Sequence, residues 1–116
     1  IDDDEFTRQL LTRMLGSDYE ILTASSGDEG LKIILGNHID LVLLDWMMPG
    51  TDGLSLLVRL KTDEITSSVP VVFLSGKAEK EAIERALTAG ASDFITKPFR
   101  KDDLIRRIES ATVSIH

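Results

Sequence analysis

Cysteine is absent from the 116 residues, so no disulfide framework and no thiolate metal site is available, and the composition fits a reducing compartment. Long apolar runs are absent too. No stretch approaches the roughly 20 apolar residues a membrane helix requires. With 42% hydrophobic and 28% charged residues, the chain is expected to be a soluble domain of the cytoplasm that does not engage a membrane. Basic charge is in deficit: 13 Lys and Arg stand against 20 Asp and Glu, a net charge of −7. That sign repels phosphates, which argues against direct nucleic-acid binding by this segment. The deficit is uneven, with 13 acids against 5 bases in residues 1–64 and 7 against 8 in residues 65–116. The acidic half suits a hard cation. Also lacking are an initiator Met, a signal-peptide pattern and any strand ahead of the acids in Ile1-Asp2-Asp3-Asp4-Glu5. The chain therefore reads as one domain over 1–116, truncated at its N-terminus.

What is present alternates between two periods. Phe6, Leu10, Leu11, Met14 and Leu15 fall at helical spacing, capped by Asp3 or Asp4 and ended by Gly16, predicting a helix over 5–15. Residues 19–24, with Ile21, Leu22 and Ala24, read as a short strand. Ser26 and Glu29 fit a capping box for a second helix, with Leu31, Ile34 and Leu35 as its buried stripe. Residues 39–44 form a strand, Leu54, Leu57, Val58 and Leu60 mark a third helix, and 71–74 is a strand of four apolar residues. A fourth helix carries Ala78, Ala82, Ile83, Ala86 and Leu87 up to Gly90, Phe94-Ile95-Thr96 is the last strand, and Leu104, Ile105, Ile108 and Ala111 face a closing fifth helix. Such alternation implies right-handed βαβ units and a parallel sheet between helix layers. Four strands and five helices are visible. The acids at 2–4 stand where a strand should just have ended, so Ile1 is read as the remnant of a central first strand.

The stretch Ile39 to Gly53 carries the chemistry. Its apolar run is too short for a buried helix and delivers Asp45 to a strand end, where Pro49, Gly50 and Gly53 break the chain. Ligands bind at the carboxyl ends of parallel strands. Taken alone, Asp45 could serve only to cap the turn. Three further strand ends converge on the same edge, however, bringing Asp2 and Asp3, Ser75, and Lys97. Clustered carboxylates repel unless a cation neutralises them, and an all-oxygen site of few ligands suits Mg2+ with retained waters. A lysine and a hydroxyl beside them can bind the oxygens of a phosphoryl group.

These motifs resemble the receiver domains of bacterial response regulators, the CheY-like family of two-component signalling. The likeness rests on Asp2-Asp3, on Asp45 within Leu-Leu-Asp-Trp-Met-Met-Pro-Gly-Thr-Asp-Gly, on Ser75, and on Lys97-Pro98-Phe99, and it spans all but the first strand. It implies a flavodoxin-like (βα)5 doubly wound parallel sheet of strand order 2-1-3-4-5 with the first strand largely missing. It also implies that Asp45 accepts a phosphoryl group from a sensor histidine kinase or a histidine phosphotransfer protein, as an acceptor and not as a turnover enzyme on outside substrates. Mg2+ would be held by Asp2, Asp3, Asp45 and the main-chain oxygen of Met47, with Asp2 acting mainly through water. Ser75 and Phe94 would form the switch, and the Lys97–Pro98 bond would be cis. Phe94 stands where tyrosine is frequent and brings no phenol to an output contact.

Phosphorylation would draw Ser75 inward, let Phe94 fill the vacated space, and repack the surface of the fourth helix, last strand and fifth helix. Lys77, Lys80, Arg85, Lys101, Arg106 and Arg107 there, mixed with Glu79, Glu81 and Asp102, suit a homodimer of reciprocal ion pairs or the docking of an effector. Trp46 and Met48 read as packing residues, Phe6, Phe73 and Phe99 as core or rim, and His38 and His116 as solvent-facing. A haloacid-dehalogenase-type phosphatase needs a second Asp where Met47 stands. A flavin module would meet repulsion from the acids and finds no glycine-rich phosphate loop. A degenerate receiver acting as an interaction module is the remaining rival.

Overall fold

The computed structural model describes residues 1–48, 51–76 and 79–113. Calls made on Pro49, Gly50, Lys77, Ala78 and His116 lie outside the described residues. Five helices, α1 Glu5–Leu15, α2 Gly27–Gly36, α3 Gly53–Thr62, α4 Lys80–Thr88 and α5 Lys101–Val113, alternate with β1 Val42–Asp45, β2 Met47–Met48, β3 Thr51–Asp52, β4 Val71–Ser75 and β5 Asp93–Thr96. β1, β4 and β5 form a parallel sheet in that order, with Asp45 opposite Leu74 and Ser75 opposite Thr96. β4 lies in the middle, and every one of its residues is buried. Val72 and Leu74 point to α1 and α5, joining Leu11, Leu15, Leu104 and Ile108. Val71 and Phe73 point to the other layer, joining Ile34, Leu56, Leu57 and Ala86. An unbroken apolar run is what a strand covered on both faces requires.

Local chemistry sets the helix starts. Asp4 caps α1, accepting from the N–H of Phe6 at 3.2 Å and from the hydroxyl of Thr7 at 2.8 Å. Ser26 caps α2 by accepting from the N–H of Glu29 at 3.2 Å, and Asp52 caps α3 by accepting from Leu54 at 3.0 Å. The carboxylate of Glu29 accepts from Ser25 instead of closing the expected box.

Two expectations need correction, and one pairing is added to them. Residues 19–24 form no strand, and the parallel sheet among the described residues is β1-β4-β5. Ile1 donates its amine to Leu43 O at 2.7 Å and accepts from the N–H of Asp45 at 2.9 Å, while Asp2 N–H donates to Ala24 O at 3.0 Å. A cleft of about 740 Å3 with mixed lining, Leu15, Ile21, Ile34 and Leu43 beside Asp2, Arg8 and Asp40, lies there. Secondly, β2 and β3 pair antiparallel, Met47 with Asp52 and Met48 with Thr51, a two-residue ladder too short to leave a period in the sequence. Thirdly, Phe6 is 70% exposed. The buried stripe of α1 runs Thr7, Leu11, Leu15, and Phe6 stands one position to its side.

The loop after β1 is held close to α3 at Gly53. A Cβ there would lie 2.6 Å from Asp45 O and 2.9 Å from Trp46 O, so only glycine admits this approach. Gly53→Ala is expected to cost about 1–3 kcal/mol of stability by forcing backbone apart. Urea unfolding measures it, and an unchanged midpoint would show that the loop yields freely.

Candidate functional site

The candidate residues gather along one edge of the sheet. Ile1 carries Asp2 and Asp3 beyond the sheet edge, β1 ends on Asp45, β4 ends on Ser75, and Lys97 follows β5. Asp2, Asp45 and Ser75 are buried, at 2%, 7% and 4% exposure, while Asp3 is open to solvent. Carboxylate oxygens of Asp2, Asp3 and Asp45 lie within 4.8 Å of one another. Ligand oxygens around a six-coordinate Mg2+ at about 2.1 Å stand about 3–4 Å apart. A slight contraction of this all-oxygen set would therefore hold the ion, with the exposed Asp3 side open to water.

Lys97 bridges two of the acids. Its ammonium donates to Asp2 Oδ2 at 3.0 Å and lies 3.6 Å from Asp45 Oδ1, and its backbone N–H donates to Ser75 O at 2.6 Å. The Lys97–Pro98 bond is cis. Asp2 Oδ1 accepts from the N–H of Asp4 at 2.9 Å, so the acid that faces the lysine also braces the start of α1.

The electrostatics follow from this crowding. Burial, then the charge of Asp2, raise the pKa of Asp45 to about 6, with a hydrogen bond to Asp3 adding to the rise and Lys97 opposing it. Burial works against the charged form of Lys97. Its bond to Asp2 and the charge of Asp45 outweigh that and hold its pKa above the ordinary lysine value. The pocket thus holds a fixed positive charge beside a carboxylate reluctant to ionise, and a second cation would relieve the remaining repulsion.

Aromatic rings back the site. Trp46 meets Phe73 edge-on at 4.9 Å and Phe94 at 5.4 Å, and Phe73 and Phe94 lie 6.0 Å apart. Trp46 and Met48 are buried as packing residues, while Met47 is 71% exposed beside Asp45. Phe94 is only 6% exposed. Its ring is already inward in this conformation, because Trp46 and Phe73 offer an apolar seat and no phenol draws it to water. The inward move expected of it would bury almost no further surface.

On the opposite flank, Arg107 donates to Asp93 at 2.9 Å and to Asp103 at 3.2 Å, and Arg106 pairs with Asp103. Both arginines thus have acidic partners within the chain, and Arg106 remains 76% exposed. His38 is exposed, 3.0 Å from Asp40.

A response regulator receiver domain matches residues 1–109. The chain belongs to that family. The receiver is 38% identical over 111 residues to the phosphate regulon transcriptional regulatory protein PhoB of Pseudomonas aeruginosa, a match covering 95% of the chain and 48% of that protein. It is 37% identical over 113 residues to the transcriptional regulatory protein DltR of Streptococcus agalactiae, covering 97% of the chain and 50% of that protein. It therefore spans about half the length of these relatives. Among solved structures, the receiver domain of the Francisella response regulator 1452 superposes with a TM-score of 0.89 at 34% identity, covering 99% of the chain and 94% of that one. A receiver domain protein from Clostridium thermocellum gives 0.88 at 34%, covering 97% and 90%. The flavodoxin-like α/β fold is thus shown. Among the described residues no helix of the receiver is long and apolar enough to cross a membrane.

Sequence reasoning missed Arg8, whose Nη1 donates to Asp2 O at 2.7 Å. The available signal was a base six residues after the acid, in the helix that the acids open.

Proposed function

We propose that the receiver accepts a phosphoryl group on Asp45 from the phosphohistidine of a kinase or phosphotransfer protein, with Mg2+ held by Asp2, Asp3, Asp45 and the main-chain oxygen of Met47. The observation that carries this reading is the placement of Asp45 between two carboxylates and the Lys97 ammonium at one edge of the sheet. An Asp45 carboxylate oxygen attacks phosphorus, the P–N bond to imidazole breaks, and an acyl phosphate forms. Lys97 is 3.6 Å from Asp45 and can shift from that carboxylate to a phosphoryl oxygen, while Ser75, next along the sheet edge, offers a hydroxyl to another. Bound Mg2+ supplies charge neutralisation to the transferring oxygens, and positioning does the rest. The chain acts as an acceptor and not as a turnover enzyme on outside substrates.

Because Phe94 already sits inward, the output signal on this reading comes from Ser75 and the α4–β5–α5 surface adjusting around a fixed ring. That surface serves a partner, a second copy or an effector.

Intact mass after acetyl phosphate with Mg2+ tests the reading. One added phosphoryl group, absent with chelator, is expected, and no gain would leave the chain a phosphorylation-independent interaction module. Asp3→Ala is expected to weaken Mg2+ binding by about tenfold or more. It should also raise stability in metal-free buffer by removing a like charge. Titration followed by Trp46 fluorescence checks the first, and unaltered affinity would remove Asp3 from the site.

A further inference from the structure

The acidic pair is held by both main-chain and side-chain bonds. Asp2 gives its N–H to Ala24 O at 3.0 Å. Beyond Ala24 the chain turns into the cap of α2 at Ser26, and a side chain takes up the Asp2 carbonyl. Arg8, half-buried in the second turn of α1, donates from Nη1 to Asp2 O at 2.7 Å. Asp2 is thereby tied through its N–H to Ala24, its carbonyl to Arg8, one carboxylate oxygen to Asp4 and the other to Lys97.

That carbonyl belongs to the peptide joining Asp2 to Asp3. Rotating it would swing both side chains, and Asp3 is exposed and has no ladder to fix it. We propose that Arg8 is a positioning residue of the acidic pocket, fixing the Asp2–Asp3 peptide plane through its bond to Asp2 O so that both carboxylates face Asp45. It works through the bond and not through its charge. A group that orients a metal ligand from behind typically changes metal affinity by about 10–100-fold when removed. This inference rests on the cation-binding reading above.

The test compares wild type with Arg8→Met, which keeps the stem and loses the donors, and Arg8→Lys, which keeps the charge and loses the planar fork. Mg2+ affinity is read by Trp46 fluorescence at about 0.05 M and about 0.5 M salt, where the Debye length falls severalfold. The Asp3 amide nitrogen shift, in metal-free buffer, reports the hydrogen bond to the adjoining carbonyl. Arg8→Met is expected to weaken Mg2+ binding about tenfold at both salts and to move the Asp3 amide resonance. Arg8→Lys should lose about two- to threefold, and it carries the test if Arg8→Met fails to fold. Affinity unchanged in the variants, a loss that vanishes at high salt, or an Asp3 resonance that stays in place would each overturn the proposal. A wild-type chain that takes no phosphoryl group while its Asp3 resonance still answers to Arg8 would instead remove the functional reading and keep the bond.

Discussion

Asp45→Asn is expected to abolish labelling by acetyl phosphate and, in metal-free buffer at pH 7, to stabilise the fold. The folded pKa of Asp45, about 6, stands above its ordinary value of 3.8, so the folded state binds more protons than the unfolded state between those values. Stability from this group is complete below the lower value and is lost as pH rises through the upper one. At pH 7 the ionised carboxylate therefore works against folding, by about 1–3 kcal/mol at 1.36 kcal/mol per unit. Asparagine removes that burden while filling the same volume.

Urea unfolding of both proteins from pH 4 to pH 7 reads the effect as a falling limb present in wild type and missing in the variant. The buried amine of Ile1, lowered from 8.0 to about 6 by desolvation, contributes the opposite slope at higher pH. Because the charge of Asp45 raises that pKa, the amine's slope is steeper in the variant and adds to the difference between the two curves. Saturating Mg2+ should reverse the order, since wild type then gains binding energy that the variant cannot. Equal stabilities at pH 7 in chelator would overturn the electrostatic account, and a phosphoryl group on another residue of the variant would overturn the assignment of the acceptor.

The parts of this fold that are legible in the sequence are those whose signal is local or is repeated across both faces of the sheet. β4 announces itself because two helix layers demand apolar residues at every position, and Asp45 does so because an apolar run ends on a charge followed by chain-breaking residues. The converging acids, Ser75 and Lys97 follow once the strands are taken as parallel, since their ends then share an edge. What stayed hidden depends on neighbours. Residues 19–24 carry strand-forming side chains, yet a strand also needs a paired neighbour, and the bond from Asp2 N–H to Ala24 O is a single one. The burial of Phe94 is decided by Trp46 and Phe73, 48 and 21 residues away in the chain, and no periodicity encodes it. Arg106 and Arg107 read as surface charge available to a partner, but Asp93 and Asp103 engage them from β5 and from one turn earlier on α5.

Lys97→Met carries the other large effect, because one ammonium serves two acids. Asp2 is buried to 2% exposure and would keep its bond to the Asp4 N–H but lose the only cation within 4 Å of its carboxylate among the described residues. Removing one partner of a buried pair typically costs about 3–5 kcal/mol, since the other charge remains in a poorly solvated place. The loss should be largest in chelator at neutral pH and should shrink as pH falls through about 6, where Asp45 takes up a proton. Mg2+ offers a substitute charge at the same acids, so the variant should recover more stability from saturating Mg2+ than wild type gains. Labelling answers a separate question. Removing one preorganised donor to a developing oxyanion typically slows a reaction by about 100-fold or more, so phosphoryl uptake from acetyl phosphate should fall by that order even with Mg2+ saturating. Combining Lys97→Met with Asp45→Asn distinguishes structural from chemical roles, because the two residues are 3.6 Å apart and their effects should not add. Lys97→Met should cost less in the Asp45→Asn background, where one of the two charges it balances is gone. Strict additivity in stability, or labelling of Lys97→Met within about threefold of wild type, would remove Lys97 from the pocket's chemistry and leave it a brace for Asp2 alone.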